Sequence, residues 1–464
     1  MESRVYDVVI IGGGPAGYGA ALYGANAGLS VAVIEKEKVG GTCLHRGCIP
    51  AKEFLETASV YRTVEESKDF GVTTSSPILD FAITQGRKQK IVDQLWRGLS
   101  GLMKGRNIDV FEATGTLLSD GDVSLSSGET ISGSNVILAS GSVPRTVPGF
   151  DIDGDVIITS DEVLSMSKLP SSVAIIGGGA IGCEFASMMS DLGVNVTIIE
   201  ALPNLLAGCD KDAADVVARS FRKRGISIFT GQKVRGYQRE SSGATVFFGD
   251  DSSVLVEAIV MSIGRKPFTN ELFAQNSGIV LDDRGFVPVD QKMQTQVPGV
   301  YAIGDLVSTP ALAHVGFAEA IVAIKSILGE VCVPVDYKNV PWCIYTHPEV
   351  AFTGLTEEAA LAAGIEVIVK KDPFGGNSRA RIIGNSDGFV KVIAEKLPNG
   401  QAGKILGVHM VGPWVTEQLG AGYLAVNWEA TPDEVAQFIQ PHPTLSETFG
   451  ETVLALTGRG LHVG

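Results

Sequence analysis

Two short apolar runs near the N-terminus, Val8-Val9-Ile10-Ile11 and Val31-Ala32-Val33-Ile34, have the length and continuity of strands buried on both faces. Between them lie Gly12-Gly13-Gly14-Pro15-Ala16-Gly17 and an alanine-rich stretch, Tyr18 to Gly28, that suits a helix. Strand, tight turn, helix and strand make one βαβ unit. The same order returns downstream. Val173-Ala174-Ile175-Ile176 leads into Gly177-Gly178-Gly179-Ala180-Ile181-Gly182, then a helix-like stretch to Leu192-Gly193, then Val196-Thr197-Ile198-Ile199. Each unit ends on a carboxylate, Glu35 or Glu200, and the step from first glycine to acid is 23 residues in both (12 to 35, 177 to 200). This matched spacing predicts two nucleotide-binding domains, the second inserted after the first has begun.

Turn-rich seams fall at Ser140-Gly141-Ser142-Val143-Pro144-Arg145, at Gly264-Arg265-Lys266-Pro267 and between Pro334 and Pro341. Beyond Pro341 the pattern changes. Strand-like runs such as Phe389-Val390-Lys391-Val392-Ile393 and Ile405-Leu406-Gly407-Val408 sit among helical stretches. The expected architecture is therefore α/β: two Rossmann-like domains, residues 1–145 with 271–336 and residues 146–270, followed by an α+β domain over 341–464. Three domains also suit 464 residues at ~150 residues each.

Composition narrows the function. With 45% hydrophobic and 19% charged residues, large cores are within reach and disorder is not expected. A net charge of −15 repels phosphate backbones, so no nucleic-acid partner is expected. The start, Met1-Glu2-Ser3-Arg4-Val5-Tyr6-Asp7, lacks the basic opening and apolar core of a secretory signal. No apolar run approaches the ~20 residues of a membrane span. A cytoplasmic protein with no membrane partner is the expectation. The six cysteines, at 43, 48, 183, 209, 332 and 343, are too few for a disulfide framework in a chain of this length. Only Cys43 and Cys48 are close in sequence; the other four read as packing residues.

The glycine patterns carry the first chemistry. In Gly12-x-Gly14-x-x-Gly17 the glycines permit a tight turn, a close backbone approach to a pyrophosphate and helix-on-strand packing, and the helix N-terminus attracts the phosphate charge. A simple glycine-rich turn is the alternative, but the flanking strand, helix and acid favour a dinucleotide. Glu200 favours the free 2′-hydroxyl of NAD and repels the 2′-phosphate of NADP, and no arginine follows it in Ala201-Leu202-Pro203-Asn204.

The second chemistry lies in Gly40-Gly41-Thr42-Cys43-Leu44-His45-Arg46-Gly47-Cys48-Ile49-Pro50-Ala51-Lys52. On an ideal helix residues five apart have Cα atoms ~8–9 Å apart, whereas a disulfide needs less than ~7 Å. Bridging the two cysteines thus requires a break in the helix, which Gly47 permits. Two packing cysteines, or half of a metal site with His45, are the other readings. A metal site needs further ligands that are not evident, so none is expected.

The stretch from Gly40 to Lys52 resembles the active-site signature of the pyridine-nucleotide disulfide oxidoreductases. The resemblance continues through Tyr301-Ala302-Ile303-Gly304-Asp305, Val340-Pro341 to Tyr345-Thr346-His347-Pro348-Glu349, Asn377-Ser378-Arg379-Ala380 and His442-Pro443-Thr444-Leu445-Ser446-Glu447. It covers essentially the whole chain in family order, and it implies FAD on the first unit and NAD on the second. It implies a redox-active Cys43–Cys48 disulfide, with Cys48 facing the flavin and Cys43 exchanging with substrate. Lys52 would sit near the flavin and pair with Glu184, although an ordinary surface ion pair is equally compatible with the sequence. His442, oriented by Glu447, would be the base, reaching the partner subunit's disulfide in a homodimer joined through 341–464. The implied cofactor contacts of the first unit are Gly12, Gly14, Pro15, Gly17, Glu35, Lys36, Gly41, Thr42, Lys52, Gly115, Ser140, Gly141, Asp305, Ala313 and His314. Those that follow are Gly177, Gly179, Ile181, Gly182, Glu200, Val234 and Gly264.

Two departures matter. His45 and Arg46 stand where the family more often has Asn-Val; they either favour a thiolate by their charge or form a solvated or salt-bridged pair. Ala180 stands where glutathione reductases carry a gating tyrosine. Within the family, Glu200 and the cysteine-free tail from Leu456 onward point to oxidation of dihydrolipoyl groups to lipoyl groups with NAD+. Partners would be a lipoyl-bearing acyltransferase or lipoyl carrier protein of a 2-oxoacid dehydrogenase or glycine-cleavage system. Reduction of another small or protein disulfide is the alternative.

Overall fold

The computed structural model describes residues 5–463; Met1–Arg4, where the reading of the N-terminal start began, and Gly464 lie outside the described residues. Val8, Val9 and Ile10 are fully buried in the strand Val5–Ile11, the centre of the first sheet. Strands Val31–Glu35 and Thr130–Leu138 flank it in parallel, with Ile10 opposite Val33 on one side and Ile137 on the other. Asp109–Glu112 extends one edge. Val300–Ala302 pairs in parallel with Thr130–Leu138, so the chain returns to this sheet after the second unit is complete.

The second unit repeats the plan. Its five parallel strands run in the order 227–229, 195–199, 172–176, 258–261 and 157–158. The two turns are near-identical in geometry. Gly12 holds φ +109° and Gly177 +108°, in the left-handed region that disfavours side chains. A Cβ at Gly17 would lie 1.8 Å from the Gly12 carbonyl oxygen, and one at Gly182 would lie 2.0 Å from that of Gly177. These contacts bring each helix, Pro15–Asn26 and Ala180–Asp191, hard against its strand. The first helix starts earlier than its alanine-rich stretch suggests, because Pro15 pre-sets the first helical φ.

Two features were not expected from the hydrophobic pattern. A three-stranded antiparallel sheet, 234–240, 243–248 and 252–256, lies within the second unit. The turn-rich seams at 142–144 and 265–267 pair as an antiparallel ribbon where the chain crosses between units. Beyond it, a five-stranded antiparallel sheet in the order 342–344, 349–354, 402–412, 389–396 and 367–373 carries the helices Val415–Asn427 and Glu447–Leu456.

A buried ionic cluster ties this sheet to the second unit. The Lys391 ammonium, only 4% exposed, lies 3.0 Å from Asp210, 3.2 Å from Asp212 and 2.8 Å from Glu357. Removing Lys391 strands the Asp210 carboxylate, only 3% exposed, out of water, whereas Asp212 and Glu357 still reach solvent. Lys391→Met is therefore expected to lower stability by ~3–5 kcal/mol, read as a shift in denaturant midpoint.

Candidate active site at the junction of two nucleotide cradles

One cavity of about 1130 Å³ runs from the first glycine turn, past the cysteines, to the second. It exceeds the ~300–1,000 Å³ of a site for a single small ligand, as two dinucleotides require. Gly12, Gly14, Pro15, Glu35, Lys36, Gly41 and Thr42 line one end, and Gly177, Gly179, Ile181, Glu200, Val234 and Gly264 the other.

Both cradles fit a dinucleotide. A Cβ on Gly14 would come no closer than 4.0 Å to any neighbour, and one on Gly179 would meet nothing within 4 Å. Backbone there is open to a phosphate at a helix N-terminus. The acids are set alike. Glu35 accepts from the Gly13 N–H at 2.8 Å and the Glu37 N–H at 3.0 Å. Glu200 accepts from the Gly178 N–H at 2.5 Å and the Leu202 N–H at 2.6 Å. Each carboxylate is thereby held at the position where a ribose would lie. Ala180, on the cavity wall, presents no side chain beyond Cβ to the second cradle.

Between the cradles, Cys43 and Cys48 form a disulfide with Cα atoms 4.6 Å apart. The helix breaks as bridging requires: Gly41–Arg46 ends, Gly47 intervenes, and Cys48–Glu66 begins. A Cβ on Gly47 would lie 2.9 Å from the Thr42 carbonyl oxygen, so the break is built for glycine. Lys52, one turn after Cys48, faces the same side of its helix and lines the cavity. Its ammonium lies 2.8 and 3.0 Å from the two Glu184 oxygens, and Glu184 also accepts from the Tyr345 N–H at 2.9 Å. With Glu184 only 8% exposed, this is a half-buried pair and not an ordinary surface one.

Arg46 donates to Glu37 at 2.7 Å, and both side chains are well exposed; the His45 ring meets the Val39 carbonyl at 2.9 Å. Arg46 thus forms the salt-bridged pair of the second alternative, at an exposed position on the cavity wall. Arg46→Val is expected to leave the pH dependence of thiolate formation unchanged and turnover within ~5-fold, checked by thiolate absorbance against pH.

Other expected residues are divided by the structure. Ser140, Gly141, Asp305 and Ala313 line the cavity; Gly17, Gly115, Gly182, His314, His442 and Glu447 do not. Gly115 packs against Ile34 and Ile11, and the His314 ring lies 2.9 Å from the Pro341 carbonyl. The His442 Nδ1 lies 2.7 Å from Glu447, whose other oxygen accepts from the Thr444 N–H at 2.7 Å. The His442 side chain is 71% exposed. Sequence reasoning missed Ser142, Asp161, Arg265, Trp342 and Cys343 on the cavity wall. Ser142 and Arg265 lie in the two seams, where turn composition concealed a site ribbon. Burial pushes the Cys343 thiol up to about 11, which disfavours its thiolate at neutral pH.

Residues 6–320 match the pyridine nucleotide-disulphide oxidoreductase family, and residues 340–453 match its dimerisation domain. Dihydrolipoyl dehydrogenase of Bacillus subtilis (strain 168) is 42% identical, over 98% of this chain and 99% of that protein. Dihydrolipoyl dehydrogenase of Chlamydia pneumoniae is 36% identical, over 99% of each. Among solved structures, LpdA from Mycobacterium tuberculosis has a TM-score of 0.90 at 26% identity, covering 98% of this chain and 99% of that one. The Cu(II) complex of the HOCl-induced flavoprotein disulfide reductase RclA from Escherichia coli has a TM-score of 0.87 at 27% identity, covering 98% and 100%. A disulfide set between two acid-tipped dinucleotide cradles, and family matches from residue 6 to 453, lead to one assignment: this chain belongs to the pyridine nucleotide-disulphide oxidoreductases.

Proposed function

We propose that the chain oxidises dihydrolipoyl groups to lipoyl groups, with FAD in the first cradle and NAD+ in the second. The observation that carries this reading is the placement of the Cys43–Cys48 disulfide in one cavity with both cradles. The full-length likeness to dihydrolipoyl dehydrogenases selects the substrate within the family. Residues 1–145 and 271–336 form the FAD-binding domain, 146–270 the NAD-binding domain, and 341–464 the interface of a homodimer. The cofactor contacts are those named from the sequence that line the cavity, with Asp305 toward the ribityl chain of FAD.

FAD, held by the first cradle, would supply a two-electron acceptor for the reduced cysteine pair, and NAD+ in the second cradle would be the final hydride acceptor. The protein's part is proton transfer, exchange and orientation. His442 accepts a proton from one substrate thiol, through Nε2 while Nδ1–H donates to Glu447. The substrate thiolate attacks Cys43 Sγ and releases the Cys48 thiolate. The second substrate thiol then attacks the mixed disulfide, which gives the cyclic product and the Cys43 thiol. Lys52, fixed by Glu184, keeps a positive charge beside Cys48, where negative charge develops.

The position of the base supports the dimer. His442 projects from its own C-terminal unit and does not line its own subunit's cavity, so it serves the disulfide of a second copy. The protein partners are lipoyl-bearing acyltransferases or carrier proteins, and the location is cytoplasmic; among the described residues no helix is long and apolar enough to cross a membrane.

Steady-state rates test the substrate. NAD+-linked oxidation of dihydrolipoamide should far outpace NADH-linked reduction of glutathione disulfide. The reverse order would move the substrate to another disulfide. For the second cradle, Glu200→Arg is expected to cut the NADH-to-NADPH ratio of kcat/KM by ~10-fold or more; an unchanged ratio would remove Glu200 from cofactor choice.

A further inference from the structure

The carboxylate of Glu319 has no part in the chemistry above, yet it is wholly buried in the helix Ala313–Ile327. Both its oxygens are engaged. Oε2 accepts from the Gly304 backbone N–H at 2.6 Å, and Oε1 accepts from the Tyr337 hydroxyl at 2.9 Å. Tyr337 belongs to the segment that leads into the C-terminal sheet, and its hydroxyl has a second neighbour, Met293 Sδ, at 3.8 Å.

Gly304 immediately precedes Asp305 and holds φ +71°. A Cβ on Gly304 would lie 2.9 Å from the Ala16 Cβ, and one on Gly316 would lie 3.0 Å from the same atom. The turn is thus pressed between the helix of the first cradle and the helix that carries Glu319. The side chain of Asp305 is fixed separately: it accepts from Ser142 Oγ at 2.5 Å, with Arg265 3.8 Å away. Backbone and side chain of Asp305 are therefore set by different groups.

An ionisable group taken wholly out of water is costly unless its hydrogen bonds are specific. Burial pushes the Glu319 carboxyl up, and the Gly304 N–H, the Thr309 hydroxyl and the Tyr337 hydroxyl oppose that. On the FAD reading above, we infer that Glu319 is a positioning residue: it holds the Gly304 amide so that Asp305 meets the cofactor, and Tyr337 locks its second oxygen. The glutamine side chain can do the same work. Its oxygen accepts from Gly304, its amide donates to Tyr337, and the Tyr337 hydroxyl turns to Met293.

The test is FAD affinity of the full-length apoprotein, read by quenching of flavin fluorescence, with far-UV circular dichroism as the folding control. Glu319→Ala is expected to weaken FAD by ~10-fold or more, and Tyr337→Phe by less; a hydrogen bond to a charged group is worth about that factor. Glu319→Gln should bind like the natural chain. A folded Glu319→Ala with natural affinity would overturn the role, and so would a Glu319→Gln as weak as Glu319→Ala. If Glu319→Ala does not fold, Tyr337→Phe decides, and natural affinity there overturns the role. A natural apoprotein that takes up no FAD would overturn the FAD reading, and this role with it.

Discussion

Serine at either Cys43 or Cys48 is expected to abolish dihydrolipoyl oxidation, with a fall of ~10³-fold or more, the scale on which removal of a covalent nucleophile acts. The two sulfurs are bonded to each other across a helix break that places both on the cavity wall. Without either one there is no disulfide to accept the substrate's electrons. Binding of the cofactors should persist, because the cradles are built from the glycine turns and from Glu35 and Glu200. NADH should therefore still bleach the flavin of both variants at the natural rate. Substantial turnover in Cys43→Ser, measured as NADH formation from dihydrolipoamide, would show that electrons bypass the disulfide.

Loss of the base should be nearly as severe. His442→Gln is expected to slow turnover by ~10²–10⁴-fold, the usual contribution of a positioned acid–base group. Glu447→Gln should cost less, because it leaves the imidazole and removes only its orienting charge. Mixed dimers decide which subunit supplies the base. Cys43→Ser and His442→Gln homodimers are both inactive by this account. When the two chains assemble at random, the mixed dimer has one intact site if the base serves the partner's disulfide. Activity should then return to about a quarter of the natural value in a closed two-fold assembly. No recovery would place the base and the disulfide in the same subunit.

Much of this was legible in the sequence for a specific reason. Strands buried on both faces leave continuous apolar runs, and a pyrophosphate turn demands glycines at fixed steps, so both βαβ units stand out at Val8–Gly17 and Val173–Gly182. The disulfide's need for a broken helix could likewise be read from a five-residue spacing and Gly47. What stayed hidden depends on long-range pairing. The strands from 234 to 256 carry exposed polar residues such as Arg235, Arg239 and Glu240 among their apolar ones, which blurs their period. The Lys391–Asp210 pair joins residues 181 apart. The Glu37 partner of Arg46 lies nine residues away across a turn, outside any helical or strand period.

The most direct test of the account is the visible spectrum of the purified protein, taken before and after one equivalent of dihydrolipoamide and again after NAD+. The account predicts a flavin spectrum that gains long-wavelength thiolate-to-flavin absorption with dihydrolipoamide, then loses it as NADH appears. A flavin spectrum unmoved by dihydrolipoamide would contradict the proposed substrate, and bleaching by NADH in that same sample would leave the fold and cradles in place with a different disulfide to serve.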